Sequence, residues 1–456
     1  MPLQRRHCAP LWLFAATALL SACASVREPA PRAEPAPAPE PVEVAAVQPP
    51  PDYALNAPAI VVPEPEKFEP GKVRVGVLVP LTGPRAQLGE IMLQAAQLAL
   101  FDAGDDRIIL LPRDTRGTPE GAAAAAQAAV DDGARMMVGP IFSTAIRGAA
   151  PIAREFGVPL IGFSTDRSAA GNGVYILGFT PEQQVDRIIS FAASNGRNRV
   201  AALIPYSAYG DAILAALRDV TAKRGVMLVQ VERYEEDEQL LYDPVRRLAR
   251  YDSRQAQLDA ERRALESMGD DDFAQEMLSG LETRQTWGGL AFDSVFIPAG
   301  GRMLRALAPL LYYYDVDPDR VKYLGTGLWE DPSLRLEPAL DGSWYAGPSP
   351  QTAEIFRNHF ENAYRRTPPR VASLAYDSVA LVAALLRKDS NNPFNYRSLT
   401  DPKGFAGIDG VFRFGIDGIA ERGLAVVQIS PDGAALIDNP PSSFNVRTAT
   451  PAPSFP

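Results

Sequence analysis

Cysteine and histidine are almost absent from this 456-residue chain, with two of each. Both cysteines, Cys8 and Cys23, lie close to the N-terminus. The rest of the chain therefore has no thiols for a disulfide framework or a cysteine-ligated metal. The histidines are His7 and His359, which leaves the body a single imidazole. That scarcity counts against Ser-His-Asp, Cys-His and His-rich zinc chemistry together. Positive charge is also in deficit: 45 Lys and Arg stand against 55 Asp and Glu, a formal net charge of -10. Nucleic acid binding needs phosphate-neutralising basic clusters, so the global balance gives no reason to expect it. Neither G-x-x-x-x-G-K-[ST] nor G-x-S-x-G occurs. Gly171-Asn172-Gly173 lacks the third glycine of a dinucleotide fingerprint and precedes a strand pattern instead of following one. Carboxylates are plentiful, but no spacing singles out an acid/base pair. No enzyme activity, cofactor or metal is expected.

What is present begins with an address. Arg5 and Arg6 precede an apolar run from Leu11 to Leu20, about half a bilayer span long. Leu20-Ser21-Ala22-Cys23 follows, and small residues before a cysteine at the end of such a run resemble a lipobox. The expectation is a signal peptide over 1–22 and an acylated Cys23 as the mature N-terminus; the alternative is an ordinary signal peptide with a chance cysteine. Ala24, where inner-membrane retention would favour Asp, resembles outer-membrane sorting in enteric bacteria. Residues 23–70 are dominated by Pro, Ala, Glu and Val, too poor in apolar surface to offset ordering entropy. They are expected to form a disordered tether reaching on the order of 100 Å, at ~3.1 Å per residue of polyproline II. A flexible tail is expected over 437–456.

Between these ends strand and helix patterns alternate. Lys72 to Pro80 is a β-branched run, and Gly89 to Ala103 places Ile91, Ala95 and Leu98 at helical spacing. Thr118-Pro119 reads as an N-cap followed by proline at the first helical position. Further strand patterns fall at 108–111, 134–138, 158–163, 174–177, 200–204, 226–231, 294–297 and 322–325, with helical stretches at about 144–156, 181–195, 210–224 and 301–313. Repeated strand–helix–strand units imply α/β architecture with mainly parallel sheets flanked by helices, and this many units require two sheets. The acidic, arginine-rich segment 235–287 breaks the rhythm with a sparse stripe of Leu241, Val245, Leu248, Leu258 and Leu265. It reads as a helical insertion in the second lobe, either a solvated face or a docking surface.

In open α/β sheets ligands sit beyond the carboxyl ends of strands, against helix N-termini. Ser143 and Thr144, Ser164 and Thr165, and Tyr209 each follow a strand pattern and precede or open a helical one. Their hydroxyls and the free N–H groups nearby suit a carboxylate. Capping alone also accounts for Ser143 and Ser164. His359 reads as a solvated residue on a helix surface.

Several motifs together resemble the type I periplasmic binding proteins of the branched-chain amino acid receptor kind: the runs Val75 to Gly83, Val138 to Pro140, Ala150 to Arg154, Gly157 to Ile161, Ala375 to Asp377, and Gly404 to Gly418. Gly178 to Gln183, Phe292 to Pro298, Leu307 to Leu311 and Leu324 to Trp329 are closer to the penicillin-binding protein activators, lipoproteins that stimulate a bifunctional peptidoglycan synthase by contact. The resemblance implies three crossings between lobes, with 72–179 and 347–402 in lobe one and 180–346 and 403–436 in lobe two. It implies an envelope lipoprotein in the periplasm whose partner is a bifunctional penicillin-binding protein; the alternative is a receptor holding an amino acid or similar small ligand in the cleft for an ABC transporter or sensor. Ser143, Ser164, Thr165 and Tyr209 match the hydroxyl positions of the amino acid receptors. The acidic group that holds the ligand ammonium would lie near Gly327, where this chain has Leu328-Trp329 and Glu330 displaced by a few positions. The helical-repeat domain of enteric activators has no counterpart here; the tether stands in its place.

Overall fold

A computed structural model describes residues 71–444. The expected signal peptide, the Cys23 lipidation site, the tether and the end of the tail lie outside the described residues. Among those described, no helix is long and apolar enough to cross a membrane.

The first sheet is assembled from β1 (Val73–Val79), β2 (Ile108–Asp114), β3 (Ala134–Val138), β4 (Leu160–Gly162) and β5 (Val174–Ile176), alternating with α1 (Ala86–Ala103), α2 (Pro119–Asp131) and α3 (Ser143–Glu155). Its order is β2-β1-β3-β4-β5 and every pairing is parallel. From Val75 on, β1 is buried on both faces because helices cover both, which is why its sequence there is a continuous apolar run and not an alternating one. The start of α2 matches its sequence signature: the Thr118 side chain accepts from Gly121 N–H at 3.0 Å and Pro119 opens the helix.

The chain then builds a second sheet from α4 (Pro181–Ser194), β6 (Arg199–Pro205), α5 (Ala208–Arg224) and β7 (Met227–Tyr234). The insertion follows as α6 (Tyr242–Leu248), α7 (Tyr251–Glu266) and α8 (Asp272–Leu281). Its whole apolar stripe is buried, but in two places. Leu241, Val245 and Leu248 join the second lobe's core, while Leu258 and Leu265 form a small core of their own with Ala274 and Leu281. After it come β8 (Ser294–Phe296), α9 (Gly301–Tyr313), β9 (Lys322–Gly325) and β10 (Trp344–Gly347).

The return into the first lobe brings α10 (Pro350–Tyr364), α11 (Ala372–Lys388) and the short α12 (Tyr396–Leu399). Phe356 and Phe360 of α10 and most of α11 pack into the core that covers β1 and α1. β11 (Phe405–Gly407), β12 (Gly410–Phe414) and β13 (Ala420–Arg422) then form a separate antiparallel sheet. The final pair, β14 (Ala425–Ser430) and β15 (Gly433–Asp438), completes the second sheet in the order β15-β14-β10-β9-β8-β6-β7. β14 and β15 are its antiparallel strands.

Two expectations need correction, and a third gains a partner. Residues 403–436 do not belong to lobe two as a block: Phe412, Phe414 and Ala420 are buried in the first lobe's core, and Tyr175 of β5 packs 5.0 Å from the Phe414 ring. Phe412 and Phe414 share one face of β12 at the two-residue period of a strand, so both must follow the lobe that offers apolar cover. The chain enters the second sheet only at Ala425. The tail likewise starts later than 437, because Ile437 and Asp438 close β15 and Asp438 pairs with Arg187 at 2.6 Å. His359 is half exposed on α10, but its Nε2 lies 2.9 Å from Asp102 of α1, which also accepts from the Tyr376 hydroxyl at 2.8 Å.

Candidate functional site

The carboxyl ends of β3 and β4 lie side by side in the first sheet. Ser143 and Thr144 open α3, whose N-cap is Phe142 and makes no side-chain capping bond. Ser143 is therefore the first helical residue and not the cap. The hydroxyls of Ser143, Thr144 and Thr165 bond to no described residue, and the first N–H groups of α3 have no intrahelical acceptor. Ser164 differs: it is buried and its Oγ accepts the Asp166 N–H at 3.0 Å, folding the loop after β4 into a tight turn. Asp166 accepts from Ser168 N–H at 2.9 Å and pairs with Arg147 of α3 at 2.5 Å. Burial pushes the Asp166 carboxyl up, yet the Ser168 bonds and the Arg147 guanidinium outweigh it and hold it below the usual range. The Arg147 bridge thus ties the Thr165 loop to the helix that carries Ser143.

In the second lobe the corresponding strand ends are those of β6 and β9, which flank β8. Ser207 caps α5 by accepting from Gly210 N–H at 3.1 Å. Two residues on, the half-buried Tyr209 places its hydroxyl 3.3 Å from Thr326 Oγ1 at the end of β9. Burial raises the Tyr209 phenol above its ordinary value, with the Thr326 bond opposing. Thr326 is fully buried, and Gly327 N–H donates to Gln184 Oε1 at 2.7 Å. Thr326 and Gln184 belong to this constellation but escaped the sequence reading: Thr326 lies within the Leu324 to Trp329 motif and Gln184 just after the Gly178 to Gln183 one, yet neither motif shows that the two segments meet.

The turn 327–329 decides the fate of Glu330. Trp329 is buried across the end of β9, its indole N–H donating to Ile297 and Ala299 carbonyls at 3.2 and 2.9 Å. Its ring lies so close to Gly325 that a Cβ there would sit 2.2 Å from it, so the strand end requires glycine. With Trp329 turned inward, Glu330 points toward the first lobe and accepts from Arg370 Nε at 2.6 Å. Arg370 also pairs with the fully buried Asp409 and donates to Ser373 Oγ at 2.9 Å. Burial raises the Glu330 carboxyl above its usual value, and Arg370 pulls against that. Glu330 was expected among the ligand-binding residues; the structure instead gives it an arginine partner between the lobes. A small cleft of about 220 Å³, walled by Tyr345, Phe356 and Arg357, opens beside the pair.

The charge cluster continues through Asp377 and Arg422, both buried. Arg422 donates to the Leu177 carbonyl from Nε and Nη2 at 3.2 and 3.0 Å and lies over the Phe179 and Phe412 rings. Its Nη1 is 3.8 Å from Asp377 Oδ2, too far for a hydrogen bond. Burial, and then the Asp409 charge, push the Asp377 carboxyl up to about 7. Two arginines and three carboxylates therefore lock the segments on which the lobes meet.

This arrangement can grip a ligand with hydroxyls and helix-end N–H groups. Among the described residues no group of three or more His, Cys, Asp or Glu side chains is placed to hold a metal. The sequence model of the periplasmic binding protein family matches residues 72–434. The chain belongs to that family. Membership implies a periplasmic location. This periplasmic binding protein is 23% identical over 184 residues to an uncharacterized protein of Rickettsia prowazekii (strain Madrid E), covering 40% of this chain and 49% of that one. It is 26% identical over 166 residues to the Leu/Ile/Val-binding protein BraC3 of Rhizobium johnstonii, covering 34% and 45%. The chain thus spans about half the length of each of these relatives. Its fold matches that of a proposed branched-chain amino acid ABC transporter from Rhodospirillum rubrum with a TM-score of 0.62 at 18% identity, over 80% of this chain and all of the other.

Proposed function

We propose that this periplasmic binding protein acts by contact and not by transport: an envelope lipoprotein, held to the outer membrane through Cys23, that activates a bifunctional penicillin-binding protein. The observation that supports this reading most is the commitment of Glu330 to Arg370. An amino acid ligand brings an ammonium group, and burying it without a counter-charge is costly. The second-lobe strand end that would supply the acid presents Gly327, Leu328 and the inward Trp329 instead. The Pro- and Ala-rich composition of 23–70 suits a module that must reach a synthase in another part of the envelope.

The test is reconstitution. The full chain, added to the cell's own bifunctional synthase, is expected to raise the rate of glycan polymerisation or cross-linking several-fold and to co-purify with it. An unchanged rate together with no co-purification overturns the reading.

A second reading is a receptor for an amino acid or similar small ligand serving an ABC transporter or sensor. The uncommitted hydroxyls of Ser143, Thr144 and Thr165, with Tyr209 opposite, favour it, as does the likeness to the Leu/Ile/Val-binding protein BraC3. In this reading Ser143, Thr144, Ser164, Thr165 and Tyr209 hold the ligand. A ligand present at a hundred times its Kd would stabilise the folded state by about 2.7 kcal/mol, so a thermal-shift screen of amino acids and small acids separates the readings. A clear shift with one compound and no effect on the synthase makes the receptor the better account.

A further inference from the structure

Away from the cleft, the insertion and α9 enclose an open groove of about 1380 Å³. This exceeds the ~300–1,000 Å³ of ordinary small-ligand pockets, so it suits an extended occupant. Its walls carry three tyrosines that a soluble surface has no structural reason to expose: Tyr242, Tyr312 and Tyr313 are 53%, 62% and 64% exposed. They are not loose. Tyr313 packs edge-on against Tyr314 at 5.0 Å, and Tyr314 against Tyr251 at 5.2 Å. The opposite wall is the loop after α8, where Arg284 lies over the half-buried Trp287 ring at 5.1 Å.

The floor is polar and already satisfied. Arg254, itself buried, pairs with Asp315 at 2.7 Å, and Thr286 donates to the same carboxylate. The remaining lining charges nearly cancel, with Arg320 3.8 Å from Asp317. Gln285 and the three phenol hydroxyls are free of hydrogen bonds to any described residue. The groove therefore combines exposed aromatic faces, polar groups at their edges and little net charge. A protein partner's contact core is desolvated and depleted of charge, which a floor built on an ion pair does not offer. A sugar ring has the complementary chemistry, a flat C–H face that lies on an aromatic ring and a rim of hydroxyls for side-chain donors and acceptors. The Tyr313 ring, fixed in place before binding, lowers the ordering cost at that position.

We propose that this groove binds an extended, uncharged oligosaccharide, with Tyr242, Tyr312 and Tyr313 as stacking platforms and Trp287, under Arg284 on the facing wall, as the emission reporter. The inference is independent of the synthase and receptor readings. The experiment titrates the full chain with a β-1,4-linked N-acetylglucosamine hexamer and with cellohexaose, followed by calorimetry and tryptophan emission. At least one sugar is expected to bind and to change the emission. Tyr312→Ala with Tyr313→Ala should weaken that binding at least tenfold, and Trp287→Phe should abolish the emission change, with circular dichroism unchanged because the tyrosine rings are exposed. Failure of both sugars to bind at millimolar concentration overturns the inference. Equal binding by the double variant does so too, as does tyrosine-dependent binding of a proline-rich decapeptide in place of either sugar. Synthase stimulation measured on the same double variant keeps the two proposals apart.

Discussion

The end of β9 and the ends of β3 and β4 occupy equivalent places in the two sheets, yet they treat polar groups in opposite ways. At β9 the chain turns Trp329 inward and gives Glu330 to Arg370, within a cluster that also holds Asp409, Asp377 and Arg422. At β3 and β4 it leaves Ser143, Thr144 and Thr165 uncommitted, while the ion pair of Arg147 with Asp166 holds their loops together. Deep charges have to be paired because leaving them bare is costly, so they bind the structure to itself. Half-exposed hydroxyls can wait, with water as a substitute partner, and so remain available to a ligand.

The comparison breaks hardest at Arg370. Arg370→Met strands Glu330 and the buried Asp409, and removing one member of such a set costs about 3–5 kcal/mol. Chemical denaturation should show that loss, and adding Asp409→Asn should recover part of it. A loss below about 1 kcal/mol would mean the cluster is solvated and the contrast with the strand-end hydroxyls is false.

Asp377 sharpens it by pH. Its folded carboxyl titrates at about 7, against about 3.9 for the unfolded chain. Between these values the folded state holds a proton that the unfolded state has released, so the contribution of this group is fully present below about pH 4 and is lost as pH rises through about 7. Asp377→Asn cannot ionise but retains an oxygen for the Ile408 N–H, bound at 2.8 Å. The stability of the wild type relative to this variant should therefore fall between pH 4 and 7, as measured by denaturant midpoints at successive pH values. A flat difference refutes the assignment.

The smallest effects separate a true cap from a free hydroxyl. Thr118→Ala removes a capping bond and should cost about 1 kcal/mol. Ser143→Ala removes a hydroxyl that caps nothing and should stay within about 0.5 kcal/mol. If a cleft ligand is found, the order reverses for affinity: Ser143→Ala weakens binding and Thr118→Ala leaves it unchanged.

Much of the architecture was legible in advance because it rests on local signals. The apolar run of β1, the Thr118-Pro119 start of α2 and the spacing of α1 each identify an element without reference to the rest of the chain. The third sheet was not legible, since three short strands such as 405–407 carry too few residues for a period to show. The strand-end hydroxyls were placed correctly relative to their strands. Thr326, which meets the Tyr209 hydroxyl, Gln184, which holds the Gly327 N–H, and the arginines that lock the lobes were missed, because a buried polar side chain looks like a surface one until its surroundings are known.

The sequence by itself determined the α/β class, the strand–helix order and the scarcity of thiol and imidazole chemistry in the body, all of which follow from composition and short-range spacing. Only the tertiary structure decided that Glu330 pairs with Arg370, that β12 follows the first lobe, and that Tyr242, Tyr312 and Tyr313 gather on one groove. Each of these outcomes brings together residues far apart along the chain, and which charges or rings meet is set by packing, to which local spacing is blind.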